Sequence, residues 1–124
     1  MAAREDPLTQ AHLEAVGIQP GSNYVVTGAE GDSRCSEFEH LWYEPKRTDP
    51  PEAYYDKAEK EFVQVAVDFF QAHPHMGAMM LECTSMQPFA RAVQREIDIP
   101  IFSRGTLLDY VYSVAVHRDY YGHV

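Results

Sequence analysis

The sequence predicts an α/β fold in which a parallel sheet of three to four strands is flanked by helices. Three observations predict it. Short runs of β-branched, aromatic or continuous apolar residues recur at 24–27, 77–82 and 99–102. Apolar residues at three- and four-residue spacing fill much of the chain between and after them. Strand and helix alternate, which demands parallel pairing through right-handed crossovers. Three strands are visible, and the chain opens on a helix where such a unit normally opens on a strand, so the architecture is expected to be incomplete at its amino end.

The elements follow in order. Asp6 and Pro7 are suited to open a helix through Leu8, Ala11, His12, Leu13 and Val16, with Gly17 as its left-handed terminator. The turn residues Pro20, Gly21, Ser22 and Asn23 precede a strand over Tyr24, Val25, Val26 and Thr27, whose tip continues as Gly28, Ala29 and Glu30. A helical turn is expected around Phe38, Leu41 and Trp42. The segment 44–51, with Pro45, Pro50 and Pro51, breaks regular structure and reads as a surface loop able to serve as a flap. The longest helix is expected from about Pro51 to Ala72. Its stripe of Tyr55, Ala58, Phe62, Val65, Ala66, Phe69 and Phe70 belongs to a core.

Residues 77–82 are too short and apolar for a surface helix and read as a buried strand. The helix after it starts near Pro88, a residue tolerated in a first turn, and carries Ala90, Val93 and Ile97 inward. Ile99, Pro100, Ile101 and Phe102 form the third strand, with proline at a start or edge position. Arg104 and Gly105 are read as a loop before a closing helix from Thr106 to about Tyr120.

The 124 residues, 14.1 kDa with 45% hydrophobic content, suit one domain over 1–124 with a single core. A net charge of −9 and a pI near 5.0 disfavour nucleic acid and anionic membrane surfaces as partners, because both demand clustered Lys and Arg. No apolar run approaches the roughly 18 residues of a membrane span, and the first residues lack the apolar core of a secretory signal, so a cytoplasmic location is expected. His73 and His75 flank Pro74 in a solvated turn. No spacing typical of metal ligands is visible. Cys35 lies in a polar stretch, Gly31-Asp32-Ser33-Arg34-Cys35-Ser36-Glu37, as an exposed loop or helix-start residue without an assigned role.

Cys83 is the exception to this ordinary surface. In Leu81-Glu82-Cys83-Thr84-Ser85-Met86 a thiol and two hydroxyls stand where the chain turns from sheet to helix. Ligands of open α/β sheets bind beyond the carboxyl ends of the strands. A helix N-terminus offers unpaired N–H donors that favour thiolate and carboxylate. Free cysteine is also among the most buried residue types, and a small hydrophobic filler is the competing assignment.

The run Leu81-Glu82-Cys83-Thr84-Ser85-Met86-Gln87-Pro88-Phe89-Ala90 resembles the motif around the second active-site cysteine of the aspartate/glutamate racemase superfamily, in the branch that includes hydantoin racemases. The segment from Leu8 to Ile18 is similar to the helix that opens the second half of those proteins, and Leu107-Leu108-Asp109-Tyr110-Val111 to their terminal helix. The resemblance implies half of a two-domain aspartate/glutamate racemase-like fold. It further implies a cofactor-independent amino-acid or hydantoin racemase-like protein, in which Cys83 moves a proton at the α-carbon of a small carboxylate. Thr84 and Ser85, with their amides, would hold the carboxylate, and Glu82 is either substrate-facing or solvated.

Two departures accompany it. The half carrying the partner cysteine is absent, and Ser85 stands where the branch often has Asn. The alternatives are therefore a single-cysteine enzyme like the arylmalonate decarboxylases, and a non-catalytic truncated member that binds a small carboxylate or a partner chain. The partner would be a second copy or the missing amino-terminal half.

Overall fold

The computed structural model describes residues 1–5, 7–29 and 34–122. The expected roles of Asp6, Glu30 and Gly31, Asp32 and Ser33 lie outside these residues. Among the described residues, five helices and two strands run in the order α1 (Gln10–Ala15), α2 (Ser36–Trp42), α3 (Tyr55–Ala72), β1 (Met79–Leu81), a 3₁₀ segment (Thr84–Phe89), α4 (Ala90–Ile97), β2 (Ile101–Ser103) and α5 (Arg104–Ala115).

The core forms where α3 and α4 cover one face of the strands. Ala58, Phe62, Val65 and Ala66 of α3 are buried, as are Val93 and Ile97 of α4, following the three- and four-residue spacing of the sequence. Phe62 is the centre of an aromatic group. Its ring lies 5.5 Å from Phe38 and 5.6 Å from Phe89, and Tyr55 sits 5.2 Å from Phe89. Such pairs add to the area that each ring buries. Along β1, Met79 and Leu81 point into this core and Met80 points out.

The expected sheet of three to four strands is not the one observed. Among the described residues the sheet has two parallel strands, paired Met79 with Ile101, Met80 with Phe102 and Leu81 with Ser103, and helices dominate the chain. The half of a two-domain racemase-like fold expected from the resemblance rested on that larger sheet and falls with it. The strand expected over Tyr24, Val25, Val26 and Thr27 does not form. A single parallel bridge joins Gly28 to Ala2 instead. The reason is physical: a strand exists only as part of a ladder, and Tyr24 and Val25 border a groove instead of another backbone.

Other boundaries move by a few residues. α3 begins at Tyr55, and α5 begins at Arg104, where a loop is expected, because Ser103 caps it: the Ser103 Oγ accepts from the Thr106 N–H at 3.4 Å and the Ser103 N–H donates to Thr106 Oγ1 at 3.0 Å. α1 ends at Ala15, Gly17 follows its cap with φ of +87°, and none of the helix residues is buried. α4 ends at Ile97, and Asp98 after it adopts the left-handed region. The 44–51 loop is tied to α2, with Lys46 Nζ 2.7 Å from Glu39 Oε2 and the Thr48 N–H donating to the His40 carbonyl. No described helix is long and apolar enough to cross a membrane.

Of two buried carboxylates on α2, Glu37 anchors it to α3 and Glu39 holds the 44–51 loop. Glu37 and Glu39 are 2% and 1% exposed. Glu37 accepts from Lys57 Nζ at 2.8 Å and from the Tyr54 N–H at 2.9 Å. From α3, Glu61 accepts from Ser36 Oγ and from the Glu37 N–H, satisfying an amide at the start of α2. The Lys57 hydrogen bond holds the Glu37 carboxyl below its ordinary pKa against the opposing effect of burial, and the same bond raises Lys57.

A group with a lowered folded pKa stabilises the fold fully above its unfolded value, roughly 4.3, and that contribution is lost as pH falls through the folded value. Glu37→Gln should therefore lower stability by about 1–2 kcal/mol at pH 7. In denaturant titrations the variant and parent should converge as the pH drops below the carboxylate range. A constant gap from pH 7 to pH 2 contradicts the assignment.

Candidate functional site

Parallel pairing aligns the carboxyl ends of β1 and β2, and the site is built there. β1 ends at Leu81, paired with Ser103, so the residues after each strand emerge on one edge. Beyond Leu81 come Glu82, exposed, and Cys83, half-buried at the start of the 3₁₀ segment with extended backbone at φ −77° and ψ 135°. Cys83 Sγ lies 2.9 Å from Ser85 Oγ. That pair is the contact the structure makes among the residues singled out by sequence. Thr84 is exposed and Ser85 is half-buried.

The segment after Cys83 differs from expectation. Six residues of 3₁₀ helix, with Pro88 inside them, separate the thiol from α4. The tighter segment follows from its sequence: Pro88 has no N–H to donate, and Met86 and Phe89, three apart, both enter the core. Its first turn closes with the Met86 N–H donating to the Cys83 carbonyl at 3.1 Å.

A groove of about 610 Å³ opens beside this edge. Met80, Phe102, Leu107 and Tyr110 give it apolar walls, and Glu82 and Arg104 bring a carboxylate and a guanidinium to it. Cys83, Thr84 and Ser85 do not line it, so the thiol pair and the groove are neighbours along the chain, joined at Glu82. Arg104 is the residue that sequence reasoning missed by assigning it to a loop. The signal was available: it follows the strand that pairs with the Cys83 strand, so its position falls on the same edge.

Gly105 lets the first turn of α5 approach the 3₁₀ segment, since an added Cβ would overlap the Gln87 side chain. Gly28, at the bridge with Ala2, accepts a looser approach, but one by backbone: a Cβ there would lie 3.1 Å from the Glu5 nitrogen and 3.2 Å from the Arg4 Cα, neither able to move independently of the backbone. The Gly28 N–H donates to Glu5 Oε1 at 3.1 Å.

The second thiol is elsewhere. Cys35 immediately precedes α2 at the helix start, as the sequence implied, but it is fully buried in the core with Phe38 and not exposed. Among the described residues, no group of three or more His, Cys, Asp or Glu side chains is arranged to hold a metal ion. His73 and His75 sit in the turn after α3, where the Met76 N–H donates to the His73 carbonyl and the His73 ring meets Phe69 edge-on.

No family model matches the chain, and no solved structure matches it. The sequence is similar to dimethylsulfoniopropionate lyase 5 of Emiliania huxleyi (strain CCMP1516), with 35% identity over 49 residues, 40% of this chain. The match covers 10% of that protein's length, so the chain spans a small part of the relative it resembles.

The two thiols differ in access, and their labelling should differ accordingly. A chromogenic disulfide reagent should modify Cys83 in the folded protein within minutes and Cys35 only on unfolding. Mass mapping of the labelled peptides checks the order; equal labelling of both cysteines in the native state contradicts the burial of Cys35.

Proposed function

We propose that the chain acts on a small carboxylate by proton transfer at the carbon next to the carboxylate, with Cys83 as the acid/base group. The proton on such a carbon is weakly acidic, so removing it takes a positioned base and fixed donors for the negative charge that develops. The observation that carries the reading is the common edge of the two strands, with a half-buried thiol, a hydroxyl 2.9 Å from it and Arg104 on the adjoining groove. Arg104 supplies a forked donor suited to a carboxylate. Ser85 supplies a short path for the proton on sulfur. The resemblance of the Cys83 motif to aspartate/glutamate racemases supports the same chemistry.

Racemisation by two opposed thiols needs a second cysteine on the far side of the substrate, and Cys35 is enclosed in the core. Single-thiol chemistry is therefore the version this chain supports alone. A second reading follows from the match to a dimethylsulfoniopropionate lyase. That substrate is a carboxylate with a sulfonium group on the β-carbon, and elimination begins with the same proton. The thiolate takes hydrogen from the α-carbon, the electron pair forms the double bond, and dimethyl sulfide leaves with acrylate as the other product. Glu82 and Arg104 on one groove provide opposite charges for the two ends of such a zwitterion.

The test uses deuterium exchange at the α-carbon of amino acids, hydantoins and substituted malonates by NMR, alongside headspace detection of dimethyl sulfide from dimethylsulfoniopropionate. The reading predicts activity in one arm that Cys83→Ser reduces at least about 100-fold, the low end of a general-base contribution. Arg104→Ala should raise KM more than it lowers kcat. Activity indifferent to Cys83→Ser, or no exchange and no release with the parent protein, contradicts it.

A further inference from the structure

The first two residues are held as the end of an extended strand. Met1 donates from its nitrogen to the Met80 carbonyl and accepts at its own carbonyl from the Glu82 N–H. Ala2 faces the other way: its N–H donates to the Thr27 carbonyl at 2.9 Å, and its carbonyl accepts from the Ala29 N–H at 2.9 Å. Both are the alternating bonds of parallel pairing, which set Met1 opposite Leu81 and Ala2 opposite Gly28.

Continued toward the amino side of Met1, the same register meets ready partners. On one wall the Ala78 carbonyl and the Met80 N–H face inward, because Met79 and Leu81 turn their own groups to β2. Across the groove Val25 lines the other side, and continuing the register that sets Ala2 opposite Gly28 would bring the Val25 carbonyl and the buried Thr27 N–H to the residue before Met1. Between the walls lies a groove of about 560 Å³, with Met1 at one end and Tyr24, Val25, Phe69, Met76 and Ala78 along it. From Gly77 to Met80 it has room for about four extended residues, roughly 13 Å. Tyr24 and Val25 are 39% and 47% exposed to it and to solvent.

We propose that this groove is a receptor for an extended polypeptide strand that is peptide-bonded to Met1 and runs parallel to β1. The exposed edge of β1 is the requirement for strand addition, and its unpaired row is what a peptide satisfies. The attachment point is set by Met1 itself. Its nitrogen already occupies the place of a strand amide and is buried with the residue, which is 8% exposed. As a free ammonium it is a desolvated charge, and burial lowers its pKa although Glu82 opposes this. As a peptide nitrogen it is neutral and keeps its bond to Met80. A separate peptide ending in a carboxylate would stop at hydrogen-bond distance, ~2.8 Å, instead of the ~1.33 Å of a peptide bond, putting its groups out of step with both walls.

The pleat also specifies side chains. The position two before Met1 pairs with Met79 and shares its core face, where Phe69 and Met76 line the groove, so it takes an apolar residue.

Two N-terminally extended proteins test this, one carrying five alternating Val and Thr residues before Met1 and one carrying five residues with two prolines, which lack the N–H that strand addition uses. Hydrogen exchange and thermal unfolding are read on both and on the parent. In the parent, the Met80 and Thr27 amides should exchange at least 10-fold faster than those of Met79 and Ala2. The Val/Thr extension should slow Met80 and Thr27 by 10-fold or more and raise the unfolding midpoint by several degrees, and the proline extension should do neither. Overturning results are protection of Met80 and Thr27 already present in the parent, equal behaviour of both extensions, or protection that depends on protein concentration, which would make a second copy the occupant.

Discussion

Three residue pairs, Met79 with Ile101, Met80 with Phe102 and Leu81 with Ser103, are the constraint on which the arrangement of this molecule depends. The strands are only three residues long, so they cannot hold themselves together through main-chain bonds alone. Their inward side chains are fixed by the aromatic group of Phe38, Phe62 and Phe89 with α3 and α4 behind it. The pairing in turn aligns two chain reversals on one edge, so Cys83 and Arg104, twenty-one positions apart in sequence, begin the segments that leave that edge. A slip by a single residue would turn Met80 inward and Leu81 outward, and would separate the thiol turn from the capped start of α5.

The two faces of this small sheet are unequal. Met79, Leu81 and Ile101 enter the core, whereas Met80 and Phe102 remain 65% and 53% exposed on the other face. The exposed apolar surface continues along α5 through Leu107, Leu108, Tyr110 and Val111. Extended apolar patches of this kind are characteristic of surfaces that meet another molecule. On the core side the same economy of strands leaves the backbone of Met1 and Ala2 to link β1 with the segment at Gly28, which requires glycine for its close approach to Arg4 and Glu5.

What could be read from the sequence was whatever short-range pattern decides. The stripe of α3, the inward residues Val93 and Ile97 of α4 and the position of Cys83 just past a buried strand all follow from spacing within about twenty residues. The candidate site was legible to the same extent: Cys83 and Ser85 are brought together by a local turn, whereas Arg104 joins the edge only through pairing with another strand. Tyr24, Val25 and Val26 have every residue preference of a strand and are not one, because strand formation depends on a neighbour that residue preference does not encode. The exposure expected for Cys35 failed for a similar reason. It was inferred from polar neighbours, yet Glu37 and Glu39 are themselves buried, compensated by Lys57 and Lys46 from elsewhere in the chain.

The most direct measurement is of interstrand proton contacts by NMR between the backbones of 79–81 and 101–103. The account predicts nuclear Overhauser contacts of a parallel ladder, with Met79 beside Ile101 and Leu81 beside Ser103. An antiparallel pattern, a one-residue offset, or no contact between the two segments would contradict it, and with it the shared edge that the thiol turn and the arginine both leave.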